Sequence, residues 1–203
     1  MDNLLPLIYI ARHGETAWTL TGQHTGLTDL PLTPRGERNA RALAGRLKGL
    51  DFAKVLTSPL QRASKTCALA GFGATAEVDS DLVEWNYGAY DGLTSAEIRA
   101  KRPDWELFRD GCPGGESPTQ VKARADRVLR RVRSVKGDVL LFSSGHFIRM
   151  LAASWIGVEP SVHSMSFLLS TASLSAVGYD GDVSRPVIRL WNDAHHVHTN
   201  GSN

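Results

Sequence analysis

Apolar runs and their spacing divide the chain into alternating strand-like and helix-like segments. Leu7-Ile8-Tyr9-Ile10-Ala11 is an unbroken apolar run that ends abruptly in Arg12-His13-Gly14-Glu15. A run of this length bounded by glycine reads as a buried strand covered on both faces. Residues 17–33 lose the pattern and collect Gly22, Thr25, Gly26 and Thr28, which predicts a loop over the sheet edge. Thr33-Pro34 then supplies a helix cap and a first-turn proline; Ala40, Leu43, Ala44 and Leu47 recur at helical spacing, and Gly49 stops the helix. Residues 52–57 form a second strand pattern. Ser58-Pro59 repeats the cap-plus-proline device before a helix to about Ala70, and 75–78 fit a short third strand.

Residues 81–116 behave differently. They are aromatic and glycine-rich with no clear period, apart from a capping box at Thr94–Glu97 and a stop at Pro103. The stretch from about 85 to 116 reads as a short inserted lid. Ser117-Pro118-Thr119-Gln120 opens a long helix with Val121, Ala125, Val128, Leu129 and Val132 on one face; the arginines opposite read as a solvated surface. Asp138–Ser143 is the second strongly apolar strand, running into Ser144-Gly145-His146-Phe147 and a helix to Gly157. Residues 172–177 and 186–191 suggest a closing hairpin. From about residue 193 the chain reads as a flexible tail. His195, His196 and His198 are close enough to bind metal there, but a frayed end fits better.

The length of 203 residues suits one α/β domain spanning 1–203. A net charge of +2 carries no polyelectrolyte signal, so neither nucleic acid nor an anionic membrane is expected as a partner. Any preference for anions must then come from particular arginines. Cys67 and Cys112 stand alone, without disulfide or metal-ligand spacing, and read as reduced and structural. The first residues lack a secretory pattern and no apolar stretch reaches membrane-spanning length, so a cytoplasmic location is expected.

The two apolar strands each end in a glycine and a histidine. Arg62 lies in the first turn of the helix after Ser58-Pro59, where free amides favour anions. If the strands are neighbours, Arg12, His13, Arg62 and His146 converge, and two guanidiniums can hold a phosphate through paired hydrogen bonds. Any one Arg-His pair would also fit a solvated strand end. A metal is the rival use for the histidines, but arginines directly beside them would repel a divalent cation and no two carboxylates accompany the histidines at ligand spacing. No metal or cofactor is expected.

In this light the chain resembles the histidine phosphatase superfamily, in its phosphoglycerate-mutase-like branch. The likeness rests on Arg12-His13-Gly14-Glu15-Thr16, Thr25-Gly26, Ser58-Pro59 with Arg62, Glu84 with Tyr87-Gly88, and Gly145-His146, in that order. It implies a three-layer sandwich with a mostly parallel central sheet flanked by helices. It also implies that His13 takes a phosphoryl group, that Arg12, Arg62 and His146 hold the phosphoryl oxygens, and that Glu84 exchanges a proton with the leaving alcohol and with water. Without the resemblance, a glutamate beside Trp85 fits a surface position equally well. Gly14, Thr19, Gln23, Thr25, Gly26, Trp85, Tyr87, Arg109 and Phe147 complete the expected substrate contacts, with Trp18 and Tyr90 as further candidate walls and Arg109 as a reader of a second phosphate or a carboxylate.

Departures bear on the substrate. Mutase members carry asparagine where Thr19 stands, an Asn-Arg pair where Gly22-Gln23 stand, and a longer lid; many members carry histidine at the position of Ser144. The residues after Glu84 look closest to small acid phosphatases and sedoheptulose bisphosphatases of the superfamily. A short lid admits water to a phosphohistidine. The expectation is therefore a phosphomonoesterase acting on a small sugar-phosphate-type metabolite. A bisphosphate-primed mutase and a non-catalytic binder of phosphorylated ligands remain alternatives, and a homodimer stays open.

Overall fold

Two-residue periodicity in the strands builds a sheet that is apolar on both sides. A computed structural model of the chain describes residues 5–198. Its elements are β1 (Ile8–Arg12), α1 (Ala17–Thr21), α2 (Pro34–Leu47), β2 (Lys54–Thr57), α3 (Gln61–Leu69) and the two-residue β3 (Glu77–Val78). They continue through α4 (Ser95–Lys101), α5 (Leu107–Asp110), α6 (Pro118–Arg133), β4 (Val139–Ser143) and α7 (Gly145–Ile156). After α8 (Pro160–His163), the chain closes with β5 (Leu174–Asp180), β6 (Asp182–Asp193) and a terminal turn, α9 (His195–His198). The strands form one mixed sheet in the order β3-β2-β4-β1-β5-β6. The first four are mutually parallel, and β5 and β6 add an antiparallel edge.

Alternation decides which helices cover which face. Ile8 and Ile10 of β1 and Val139 and Leu141 of β4 pack with Val121, Val128 and Leu129 of α6 and Ile148, Leu151 and Trp155 of α7. Ala11, Leu140 and Phe142 point the other way, onto Leu43 and Leu47 of α2 and Cys67 of α3. The result is three layers, helix–sheet–helix. Both cysteines are buried and unpaired, and burial pushes each thiol up to about 12. No described helix is long and apolar enough to cross a membrane.

Several expectations shift. The loop over 17–33 begins with α1, because Thr16 and Thr19 cap each other reciprocally. Ser58-Pro59 does not cap α3; that helix starts at Gln61, whose amide donates to Asp29 Oδ1 at 2.8 Å. The expected lid segment is tightly packed, with Trp85, Ile98, Trp105 and Phe108 all in the core against α6 and α7. The chain end is not a frayed tail at its start. Asp193 is buried and bonded to Arg46, and His196 is buried with its ring N–H on the Ala172 carbonyl at 2.8 Å. Residues after 198 lie outside the described part.

Two glycines let α2 approach the end of β1. A Cβ on Gly36 would stand 2.2 Å from the Glu15 carbonyl oxygen, and one on Gly14 would stand 2.7 Å from the Gly36 oxygen. No side chain fits there, so the N-terminus of α2 rests on the backbone that carries His13.

Candidate active site

The parallel ladder between β1 and β4 continues one residue past the strands and fixes the first histidine. His13 N–H donates to the Ser143 carbonyl at 3.0 Å, and the His13 carbonyl accepts from Ala172 N at 3.0 Å. The ring is 3% exposed, and its Nδ1 lies 2.7 Å from the Gly14 carbonyl oxygen. A carbonyl only accepts, so Nδ1 carries the proton and Nε2 keeps its lone pair. Burial, then the charges of Arg12 and Arg62, hold His13 well below the usual imidazole range. The ring is neutral at ordinary pH, with one nitrogen unprotonated. Thr66 braces this turn by accepting from Gly14 N–H at 2.9 Å.

Neither guanidinium beside it has a carboxylate partner among the described residues. Arg62 is fully buried and donates to the carbonyls of Thr25, Gly26 and Thr28 at 2.8–3.0 Å, which ties the loop after α1 to α3. Arg12 donates to the Leu169 carbonyl and lies over Gly145, where a Cβ would meet its Cζ at 3.3 Å. Burial lowers Arg12 to about 10, and the Nε–H groups of Arg12 and Arg62 are both buried without an acceptor. Buried donors are normally satisfied, so two open ones on neighbouring cations describe an anion site.

Glu84 enters from the other side and is 5% exposed. Its carboxylate accepts from Trp85 N at 2.9 Å, Phe147 N at 2.8 Å and His146 N at 3.0 Å. It therefore caps α7, whose own cap residue Ser144 makes no side-chain bond. His146, in the first turn of α7, places Nδ1 at 2.6 Å from Tyr87 Oη. Burial holds Tyr87 as a phenol, and its hydroxyl has no other acceptor among the described residues. The phenol thus donates to Nδ1, which puts the ring proton of His146 on Nε2. In the strand register, Ser144 follows Ser143 as His13 follows Arg12, so Ser144 stands next to His13 and its Oγ is buried without a partner.

Arg12, His13, Glu84, Tyr87 and His146 line a cleft of about 220 Å³ that also includes Trp18, Thr19, Gln23 and Thr25, as expected, together with Gly22, His24, Ser95, Gly145 and Arg149; Arg62, fully buried, lies outside its lining. A larger groove of about 460 Å³ beside β3 contains no histidine, and its cations Lys54 and Arg131 are paired with Glu77 and Asp79. Among the described residues no group of His, Cys, Asp or Glu is arranged to hold a metal ion.

Some expected contacts lie elsewhere. Trp85 is fully buried, with its indole N–H on the Glu116 carbonyl at 2.8 Å, and walls nothing. Phe147 contributes its amide to Glu84 while its ring lies under Arg124 at 4.5 Å. Arg109 is exposed and paired with Asp110 at 2.8 Å, outside the cleft. Tyr90 packs on Trp105. Gly14 acts through its contact with Gly36, and Gly26 through its amide on Asp91 at 2.7 Å.

His24, Ser95 and Arg149 of the cleft escaped the sequence reading. His24 sat unmarked in a Thr/Gly-rich loop; its ring stacks at 4.7 Å from Tyr87, and burial lowers it to about 4. Arg149 was legible in principle, because it lies three residues after His146 on the same face of α7.

The whole chain agrees with these parts. A family model described as the histidine phosphatase superfamily (branch 1) matches residues 8–194. The chain belongs to that superfamily. An acid phosphatase of Mycobacterium tuberculosis is 41% identical over 181 residues, covering 87% of this chain and 88% of that protein. The sedoheptulose 1,7-bisphosphatase of Saccharomyces cerevisiae is 32% identical over 231 residues, covering 97% and 83%. Among solved structures, an open-reading-frame product of Mycobacterium tuberculosis superposes with a TM-score of 0.86 at 35% identity, covering 92% of this chain and 97% of that one.

The neutral histidines of this superfamily member make stability pH-dependent. His13, His24 and His146 all have lowered proton affinity in the fold. Below about pH 6.5 the unfolded chain binds protons that the folded chain refuses, so stability falls with pH. Between pH 7 and 5, above most carboxylate titration, His24, lowered to about 4, is expected to contribute a loss of about 2 kcal/mol, and His13 and His146 add to it in the same direction. Urea denaturation in phosphate-free buffer at the two pH values measures it. Equal stability at both would show that the rings are charged in the fold.

Proposed function

We propose that the chain is a phosphomonoesterase that hydrolyses small phosphorylated metabolites of the sugar-phosphate type through a phosphohistidine, as a histidine acid phosphatase does. The observation that carries this reading is the His13 ring. Its Nδ1 proton is committed to the Gly14 carbonyl, leaving the Nε2 lone pair free beside two guanidiniums whose buried Nε–H donors are open. A phosphate fills that arrangement with charge-assisted hydrogen bonds.

In the first half-reaction His13 Nε2 bonds to phosphorus as the ester P–O bond breaks. Charge grows on the equatorial oxygens, where Arg12, Arg62 and the Nε2–H of His146 donate. Glu84 holds the proton that the departing alkoxide takes. In the second half-reaction a water attacks phosphorus, Glu84 accepts its proton, and the P–N bond breaks to return the lone pair to His13. Inorganic phosphate leaves, and the enzyme is restored. Names among the relatives support the direction: one is an acid phosphatase and another acts on a sugar bisphosphate.

A panel of phosphorylated metabolites, assayed for phosphate release beside acid-sparing mass spectrometry of quenched turnover, tests this. The expected result is release accompanied by an acid-labile phosphoryl group on the peptide containing His13. Steady hydrolysis without that adduct refutes the covalent route. Transfer exceeding release and stimulated by a bisphosphate would make the chain a mutase. Tight binding without turnover across the panel would make it a binding protein.

A further inference from the structure

The loop that leads into β5 carries the backbone of both residues at the end of β1. Ala172 N–H donates to the His13 carbonyl at 3.0 Å, and the Ser173 carbonyl accepts from Arg12 N–H at 3.1 Å. The Arg12 guanidinium donates to the Leu169 carbonyl of the same loop. Residues 167–173 form no helix or strand, so hydrogen bonds that reach them from elsewhere set their shape.

Three such bonds come from residues 191–196. Trp191 Nε1–H donates to the Leu168 carbonyl at 2.7 Å, and Asn192 Oδ1 accepts from Ser170 N–H at 2.6 Å. His196 Nε2–H donates to the Ala172 carbonyl at 2.8 Å, on the residue that is itself bonded to His13. Ala172 is fully buried with φ of +57°, a left-handed conformation that an L-residue keeps only where its surroundings impose it. Asn192, at φ of +54°, is the other such non-glycine residue among the described residues, and it stands at the same junction. The segment carrying His196 is anchored in turn, because Asp193 pairs with Arg46 of α2 and accepts from His195 N–H at 3.1 Å.

We propose that His196 is a positioning residue for phosphoryl transfer: through Ala172 it fixes the backbone that aims His13 Nε2 at phosphorus. This rests on the phosphatase reading above and adds to it a side chain that lies outside the cleft. The His13 ring is oriented by the Gly14 carbonyl next to it, so a shift of this backbone carries Nε2 with it. A nucleophile displaced by a fraction of an ångström loses rate steeply. Arg62 is held instead by carbonyls of the loop after α1, so binding of the ester suffers less.

The test compares wild type with His196→Leu, which has no donor, and His196→Gln, whose amide N–H reaches a similar distance. The substrates are p-nitrophenyl phosphate and the best compound of the metabolite panel, with rates taken per folded molecule and the folded fraction read from urea denaturation. In His196→Leu, kcat is expected to fall at least about tenfold, more than KM rises, and His196→Gln to restore it to within about threefold of wild type. A purely structural role would lower the urea midpoint and leave kcat per folded molecule unchanged. A smaller fall, one carried mainly by KM, or one that His196→Gln does not restore overturns the proposal. If His196→Leu does not fold at the assay temperature, His196→Asn, whose shorter amide stops short of the Ala172 carbonyl, takes its place under the same criteria. If wild type releases phosphate from none of the substrates, the phosphatase reading fails, and nitrogen NMR of the His13 ring decides. A signal moved in His196→Leu and restored in His196→Gln upholds the positioning, and any other pattern rejects it.

Discussion

His13→Gln should remove turnover while leaving the anion cage in place. Phosphate release from any substrate of the wild type is expected to fall by roughly 10⁴-fold, the scale seen when a single nucleophile is deleted from a covalent mechanism. Glutamine has a similar volume, and the backbone at this position is held independently of the side chain. Ser143 accepts its N–H, Ala172 donates to its carbonyl, and Thr66 braces the next residue. Arg12 and Arg62 keep their carbonyl contacts, so inorganic phosphate or vanadate should still bind the variant, measurable by calorimetry. Retained binding with lost turnover separates a missing nucleophile from a collapsed site. Release within tenfold of wild type would mean that another group attacks phosphorus.

How far the sequence disclosed this site depends on where each residue's partners lie along the chain. Strands with local signals were plain: β1 and β4 are nearly pure apolar runs, and both run into the glycine–histidine pairs that border the cleft. Helices capped by their own neighbours were equally plain, as at Thr33, Thr94 and Ser117. Where the cap came from a distant loop, local reading misled. Asp29 caps α3, so Ser58 does not do the work its position suggests, and Glu84 caps α7 from a distant loop. The same cause misplaced the specificity residues. Trp85 and Arg109 lie in the segment that borders the cleft, but the pitch of that backbone turns one into the core and the other to solvent. Arg149 and His24 reach the cleft because α7 and the loop after α1 present one face to it, a fact of packing that no spacing within the loop reveals.

Arg124 shows the point most sharply, since it belongs to a helix face whose arginines read as solvated. It is 5% exposed, and its guanidinium donates to the carbonyls of Asp81, Val83 and Glu84 while pairing with Glu116 at 2.9 Å. Glu116 in turn accepts from Asn86 N at 2.9 Å. One side chain therefore holds the backbone on both sides of Glu84, and the Phe147 ring supports it from below at 4.5 Å. Arg124→Met keeps the apolar stem but leaves three carbonyls and a partly buried carboxylate without their donor. Breaking such a pair costs about 3–5 kcal/mol, so the urea midpoint should drop accordingly. In the variant still folded at the assay temperature, kcat should fall at least about tenfold because Glu84 loses its placement over the leaving group. Glu116→Gln, which keeps an acceptor for both Arg124 and Asn86, should lose only about 1 kcal/mol and most of neither rate nor fold. Arg124→Met with wild-type stability and kcat would show that the Glu84 segment is positioned by its own turn and the core beneath it.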